Sequence, residues 1–160
     1  MAFNVDQFRA QLSGDGARPN LFQVSLLLPT FVNNSAAAGQ KLVFMCNATS
    51  LPESSIGVTP AYYFGREVKL AGNRTYADWS IQVINDEDFI VRNAFERWMN
   101  GINSHSLNVR NPLAQAPGNY TVDAQVTQFG KQGDTLKKYK FIGVFPTDVS
   151  PIDVDWGSND

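Results

Sequence analysis

Hydrophobic and polar residues alternate most cleanly from Tyr76 to Asn85. Ala77, Trp79, Ile81 and Val83 fall on one side of an extended chain, and Tyr76, Asp78, Ser80 and Gln82 fall on the other. The pattern predicts a strand with one face in a core and one in water. The same period of two returns in Thr121, Asp123, Gln125 and Thr127 against Val122, Ala124 and Val126. Beyond a turn around Gly133 it sets Tyr139, Phe141 and Phe145 against Lys138, Lys140 and Ile142. A shorter alternation opposes Val68 and Leu70 to Glu67 and Lys69, with Gly72-Asn73 as the turn that follows. Leu21 to Leu28 and Leu42 to Thr49 are apolar, β-rich runs separated by Pro29 and the small, polar tract NNSAAAG at 33–39. They read as two strands of a long-looped hairpin, with that tract as a mobile loop.

Helical spacing occurs twice. Val91, Phe95, Trp98 and Ile102 recur at intervals of four, three and four, with Arg92, Glu96 and Arg97 nearer to solvent. Asn85 or Asp86 can cap this helix, Asp86, Glu87 and Asp88 match the positive end of its dipole, and Gly101 is a natural stop. Near the start, Val5, Phe8 and Leu12 share one face of a short helix that ends at Gly14. Two turns do not offset the cost of helix nucleation in water, so this element needs a neighbour, either its own sheets or another subunit. The fold class expected is mainly β, a two-sheet sandwich or barrel with one amphipathic helix over about 85–101 and a short N-terminal helix. The core expected comprises Trp79, Ile81, Val83, Val91, Phe95, Trp98, Ile102 and Phe141.

A chain of 160 residues, 43% hydrophobic, fits a single domain spanning 1–160. Thirteen basic and fifteen acidic residues nearly cancel, so net charge alone attracts neither nucleic acid nor a membrane. Cys46 is the only cysteine, which excludes an internal disulfide and suits a buried thiol in a reducing cytoplasm. A basic leader with an apolar run is not seen at the N-terminus, and no apolar stretch reaches the roughly 18 residues of a membrane span, so neither export by a signal peptide nor membrane insertion is expected.

Candidate chemistry is sparse. His105 is a lone histidine, and with one cysteine it cannot build a typical zinc site or a catalytic relay. Asp86, Glu87 and Asp88 are adjacent and do not converge on one cation. Trp79, Trp98 and Trp156 could suggest a sugar-stacking platform, but the first two lie on core stripes. Arg18-Pro19-Asn20 lacks the glycines of a phosphate loop and fixes the approach to the first long strand. No cofactor, metal or enzyme activity is expected. Charge is unevenly placed: Asp148, Asp153, Asp155 and Asp160 crowd the end of the chain, whereas Lys131, Lys137, Lys138 and Lys140 lie in one short stretch with Asp134. Such patches can orient subunits.

Three long stretches carry a resemblance: NRTYADWSIQVINDEDFIVRNAFERWMNGINSH at 73–105, DGARPNLFQV at 15–24 and FPTDVSPIDVDWGSND at 145–160. Together they resemble the tail tube proteins of contractile-tailed, T4-like bacteriophages, over nearly the whole chain. The resemblance implies a structural virion protein, assembled in the host cytoplasm, whose hexameric rings stack head to tail. Their joined sheets would form a continuous β-barrel through which DNA leaves the virion. It implies contacts with ring neighbours, stacked rings, the sheath protein, a baseplate tube-initiator, a tail terminator and a tape-measure protein. It also implies a further apolar strand after WGSND.

A lumen that passes a polyanion without holding it should be lined by hydroxyls, amides or acids, because fixed cations add salt-dependent affinity for phosphates. Asp78, Ser80 and Gln82, with Asp123, Gln125 and Thr127, are therefore the expected lumen-facing residues. Lys69, Lys137, Lys138 and Lys140 should be paired with acids or point outward. Phe8 and the segment containing Leu51, Pro52, Glu53, Ser54, Ser55, Ile56, Tyr62 and Tyr63 are the expected ring-stacking residues, the segment being read as a loop. Two rivals stand beside this reading: the tube of a phage-like injection or secretion particle, and a monomeric ligand-binding β-sandwich.

Overall fold

A computed structural model describes residues 4–157, so expectations placed on Asp160 lie outside the described residues. Contacts divide the chain into two compact units, one made of the segments before 46 and after 84, the other of residues 46–84. In the first unit, β1 (Phe22–Leu26), β6 (Val122–Phe129) and β7 (Thr135–Val144) form an antiparallel sheet in the order β1-β6-β7. Val24, Leu26, Ala124 and Val126 fill one face and are buried. Tyr139 and Phe141 join them from β7 by register, opposite Val126 and Ala124, and are half-buried. Cross-strand partners share a face, so this side of the sheet is continuous from edge to edge.

Two helices supply the rest of this core. α2 (Ser35–Met45) packs on β1 and on α3 (Ile90–Ile102), and Ala38, Leu42, Val91, Ala94 and Trp98 are buried with Leu28, Val32 and Ala114. Trp98 is 1% exposed. Its Nε1 donates to the carbonyl of Tyr120 at 2.7 Å, which satisfies the one polar atom of the ring. Phe95 stacks on it with centroids 5.9 Å apart, while Phe95 and Ile102 are half-buried.

α2 corrects the expected hairpin. Residues 33–39 are not a loop joining two strands: Asn33-Asn34 turn the chain and Ser35 opens a helix that continues through Met45. β1 pairs with β6, and only Cys46–Ser50 of the second run becomes a strand, β2. The run KLVFM has no period of its own, and the alanines before it are strong helix formers that let the helix extend through it.

The start of α3 is also later than its acidic residues suggested. Phe89 adopts a left-handed conformation at φ 50, so the helix begins at Ile90, and Asp86, Glu87 and Asp88 precede it. Asp88 Oδ1 accepts the Ile90 N–H at 3.2 Å. Asp86 and Asp88 both meet Lys41 Nζ of α2, at 2.7 and 2.5 Å. These contacts, first from Asp86 and then from Asp88, hold Lys41 above its ordinary range, and Lys41 in turn holds both carboxyls below theirs. Gly101 is no terminator. It is buried within α3 and a β-carbon there would lie 2.4 Å from Phe31 Cε2, so the glycine admits that ring.

The second unit holds two antiparallel pairs. β2 pairs with β5 (Ser80–Val83), starting at Cys46 opposite Val83. Trp79 Nε1 donates to Thr49 Oγ1 at 2.8 Å. Trp79, Ile81 and Val83 are half-buried while Ser80 and Gln82 are exposed. Cys46 is half-buried, and desolvation pushes its thiol up. β3 (Ser54–Tyr63) and β4 (Arg66–Tyr76) form a long hairpin closed by Phe64 and Gly65, both at positive φ, as a two-residue turn requires. Two expectations change here. The strand foreseen over 76–85 exists only at 80–83, since Tyr76 ends β4 and Ala77 to Trp79 connect. Gly72-Asn73 form a bulge inside β4 instead of a turn, where Gly72 approaches the backbone of Gly57.

The architecture is mainly β, with a three-stranded sheet, two two-stranded sheets and a few helices, and no closed barrel among the described residues. The short α1 (Val5–Gln11) is capped by Asn4, whose Oδ1 accepts from Asp6 and Gln7. A further helical turn, α4 (Pro117–Tyr120), leads into β6. No described helix is long and apolar enough to cross a membrane.

Truncating Trp98 to alanine should cost about 3 to 5 kcal/mol, because it empties a buried site and strands the Tyr120 carbonyl. Chemical denaturation of both proteins measures this, and a loss below about 1 kcal/mol would contradict the packing described.

Candidate assembly surfaces

The second face of the β1-β6-β7 sheet is mostly polar, with Ile142 of β7 exposed among its polar groups. Register places Gln23 opposite Thr127 and Ser25 opposite Gln125, with Asp123 further along β6. Gln125 Nε2 donates to Thr127 Oγ1 at 3.1 Å, and Thr127 is buried although its face is hydrophilic. Asp123 is exposed.

This face is not free of cations, as residues 121–127 alone had suggested. Lys140 lies opposite Gln125 and Lys138 opposite Thr127, so both lysines project on the same side as the amide and hydroxyl groups. Lys140 Nζ meets Asp123 Oδ2 at 3.0 Å, with both side chains at least half exposed. A strand read alone reveals its own alternation but not which neighbour lies beside it. Lys137 falls on the other face, with its Nζ 4.8 Å from the Tyr139 ring centroid.

The Lys140 ammonium holds the Asp123 carboxyl below the usual range, helped by the Gly143 N–H at 3.4 Å and opposed by partial desolvation. A carboxyl lowered in the folded state contributes stability above its unfolded value, and that contribution fades as pH falls through the folded value. Exposed as it is, this pair acts on local charge more than on overall stability.

Asp78, Ser80 and Gln82 lie in the second unit and are exposed. Ser80 and Gln82 belong to β5, and Ser80 Oγ lies 2.5 Å from Ser50 Oγ. Asp78 stands on the connection before that strand. The six residues expected on a lumen thus belong to two separate sheets and a connecting segment.

The residues expected to stack rings are also distributed between the units. Phe8 lies on α1, where Val5 and Phe8 are each 66% exposed. Leu51, Pro52 and Glu53 lead into β3, and Ser54, Ser55, Ile56, Tyr62 and Tyr63 belong to that strand, which corrects their reading as a loop. The β3-β4 hairpin leaves Ile56, Val58, Tyr62, Phe64, Val68 and Leu70 exposed. Val58 and Tyr62 lie on one side and Val68 and Leu70 on the other, so both sides of the hairpin carry uncovered apolar groups.

His105 is exposed beyond α3, its N–H bonded to Asn100 Oδ1 at 3.1 Å. Among the described residues no group of three or more His, Cys, Asp or Glu is placed to hold a metal. Trp156 is fully exposed.

Comparison with known proteins gives this arrangement a context. The family profile described as "Phage tail tube protein" matches residues 17–160. Tail tube protein gp19 of Enterobacteria phage T4 is 35% identical over 159 residues, covering 98% of this chain and 90% of that protein. Tail tube protein gp19 of Enterobacteria phage T6 matches to the same extent. The tail tube protein of Serratia phage KSP90 is 23% identical over 158 residues, covering 98% of this chain and 87% of its own length.

Replacing Lys140 with glutamine should raise the titration midpoint of Asp123 toward that of an ordinary carboxyl. NMR observation of the Asp123 carboxyl carbon across acid pH reads this directly, and an unmoved midpoint would show that the ion pair is not its cause.

Proposed function

The chain belongs to the phage tail tube protein family, and from that premise we propose that it forms hexameric rings that stack into the inner tube of a contractile tail. The observation carrying this reading is the β1-β6-β7 sheet, with one face buried, α2 packing on β1, the other face mostly hydrophilic, and strands at both edges of the three-stranded order. Sheet edges present unpaired N–H and C=O groups, and a neighbouring copy can satisfy them at each side. Repetition around a ring closes the sheet and turns its hydrophilic face toward a channel. The two units act in this reading as one tail tube domain.

DNA passes through that channel without a specific site. Asp123, Gln125 and Thr127 supply acid, amide and hydroxyl on one sheet, and Asp78, Ser80 and Gln82 supply the same chemistry from the second unit. Lys140 is offset by Asp123, which limits the number of fixed cations offered to phosphates. Lys138 shares the face, so the wall combines both signs.

Contacts between rings use the apolar hairpin and α1. An exposed row of large hydrophobic groups favours burial against another surface, and a two-turn helix gains the support it lacks alone when it docks there. Sheath protein, baseplate tube-initiator, tail terminator and tape-measure protein complete the set of partners, in a virion assembled within the host cytoplasm. The protein's role is structural.

Phage carrying Asp78→Arg and Asp123→Arg should assemble tails but eject DNA more slowly, with the delay shrinking as salt rises. Single-particle ejection measurements test this, and unchanged kinetics in intact tails would remove these residues from the lumen. Replacing Ile56 and Tyr62 with serine should leave folded protein that forms rings but few long tubes under negative-stain electron microscopy. Tubes of ordinary length would exclude the hairpin from stacking.

A further inference from the structure

We propose that residues 151–155 of one copy add as an extra strand to the outer edge of β7 in a second copy, a contact that rests on the self-assembly described above. Beyond Val144 the described chain enters no sheet. Its last stretch nonetheless has strand alternation: Ile152, Val154 and Trp156 are 41%, 89% and 105% exposed, with Asp153 and Asp155 between them. Apolar groups this bare, alternating with acids before the turn at Trp156-Gly157, suit an edge that can cover one side of the segment and complete its hydrogen bonds.

β7 offers such an edge. It is ten residues long, terminal in the order β1-β6-β7, and carries lysines with the complementary period. An antiparallel addition with Asp155 beside Lys138 and Asp153 beside Lys140 places both acids with both bases on the polar face. The same register sets Val154 beside Tyr139 and Ile152 beside Phe141, two residues half-buried within a single copy. Trp156 lies in the turn that ends the segment, near the end of β7 where the Lys137 ammonium sits over the Tyr139 ring. A slip by one residue would exchange the faces, setting acids among aromatics, so both faces select the same register. Lys140 can serve Asp123 and Asp153 together because an ammonium has three donors.

The opposite edge fits less well. β1 has five residues, Phe22–Leu26, and no charge to match the acids. A return of the tail onto its own β7 is disfavoured as well, because Arg92 Nη1 of α3 donates to the Ser150 carbonyl at 3.0 Å and holds the start of the tail at the helix layer.

The test uses the full chain carrying Asp155→Lys, Lys138→Glu, or both, with circular dichroism confirming the fold. Sedimentation and negative-stain microscopy then give the protein concentration at which rings and tubes form. Each single reversal should raise that concentration several-fold, and the double variant should bring it back toward that of the unaltered protein. Proline at Asp153 or Val154 adds a second readout. Successive N–H groups point to opposite sides of a strand, and a strand added within a closed sheet uses both sides, so each of these variants should weaken assembly. If unaltered protein assembles while both single reversals and both prolines assemble equally well, the tail-to-edge contact is wrong and the tube reading stands. A double variant no better than its parents also overturns the contact. Unaltered protein that forms no ring or tube under any condition defeats both readings.

Discussion

Burial of the apolar core, in which α2 packs on β1 and on the helix that carries Trp98, determines which way the first unit faces. The Trp98 indole is buried on the inner side of α3, Phe95 stacks beside it, and the Tyr120 carbonyl accepts its single N–H. The side of the sheet bearing Val24, Leu26, Ala124 and Val126 is thereby committed to the interior. Since strand side chains alternate, Gln23, Ser25, Asp123 and Gln125 are committed to the opposite side by the same choice. A hydrophilic face is therefore a geometric consequence of the apolar packing, and mutations in the core can disturb it without touching a polar group.

Much of this was legible in the sequence because period and chemistry agreed. The alternation of Thr121 to Thr127 identified β6, and the stripe of Val91, Phe95, Trp98 and Ile102 located α3 from four side chains. Errors arose where local signals were ambiguous. Leu42 to Met45 are apolar without interruption, so they read equally well as a strand or as the end of a helix. The acidic run before Ile90 resembles a helix start, yet Asp86 and Asp88 serve a lysine 45 and 47 positions earlier in the chain. Gly101 resembles a helix end until Phe31 is placed against it. None of these distant neighbours can be read from a local pattern.

The candidate site was less legible than the fold for a related reason. Polarity at Gln125 and Thr127 could be seen along one strand, whereas the bases beside them arrive from β7 through pairing. Surface chemistry belongs to the sheet, and a sheet is assembled from segments remote in sequence. That distinction shapes the proposed channel: Asp123 contributes its own charge and also moderates that of Lys140. Balance across a strand pair matters more than the charge of either residue considered alone.

The second unit is inserted into the first through two chain crossings, after Met45 and before Asn85. Both ends meet in the antiparallel β2-β5 pair, which begins at Cys46 and Val83. Paired residues can be gained or lost next to the Phe64-Gly65 turn of the β3-β4 hairpin without shifting the register of β1, β6 and β7. The length of the hairpin is therefore set independently of the register that fixes the three-stranded sheet.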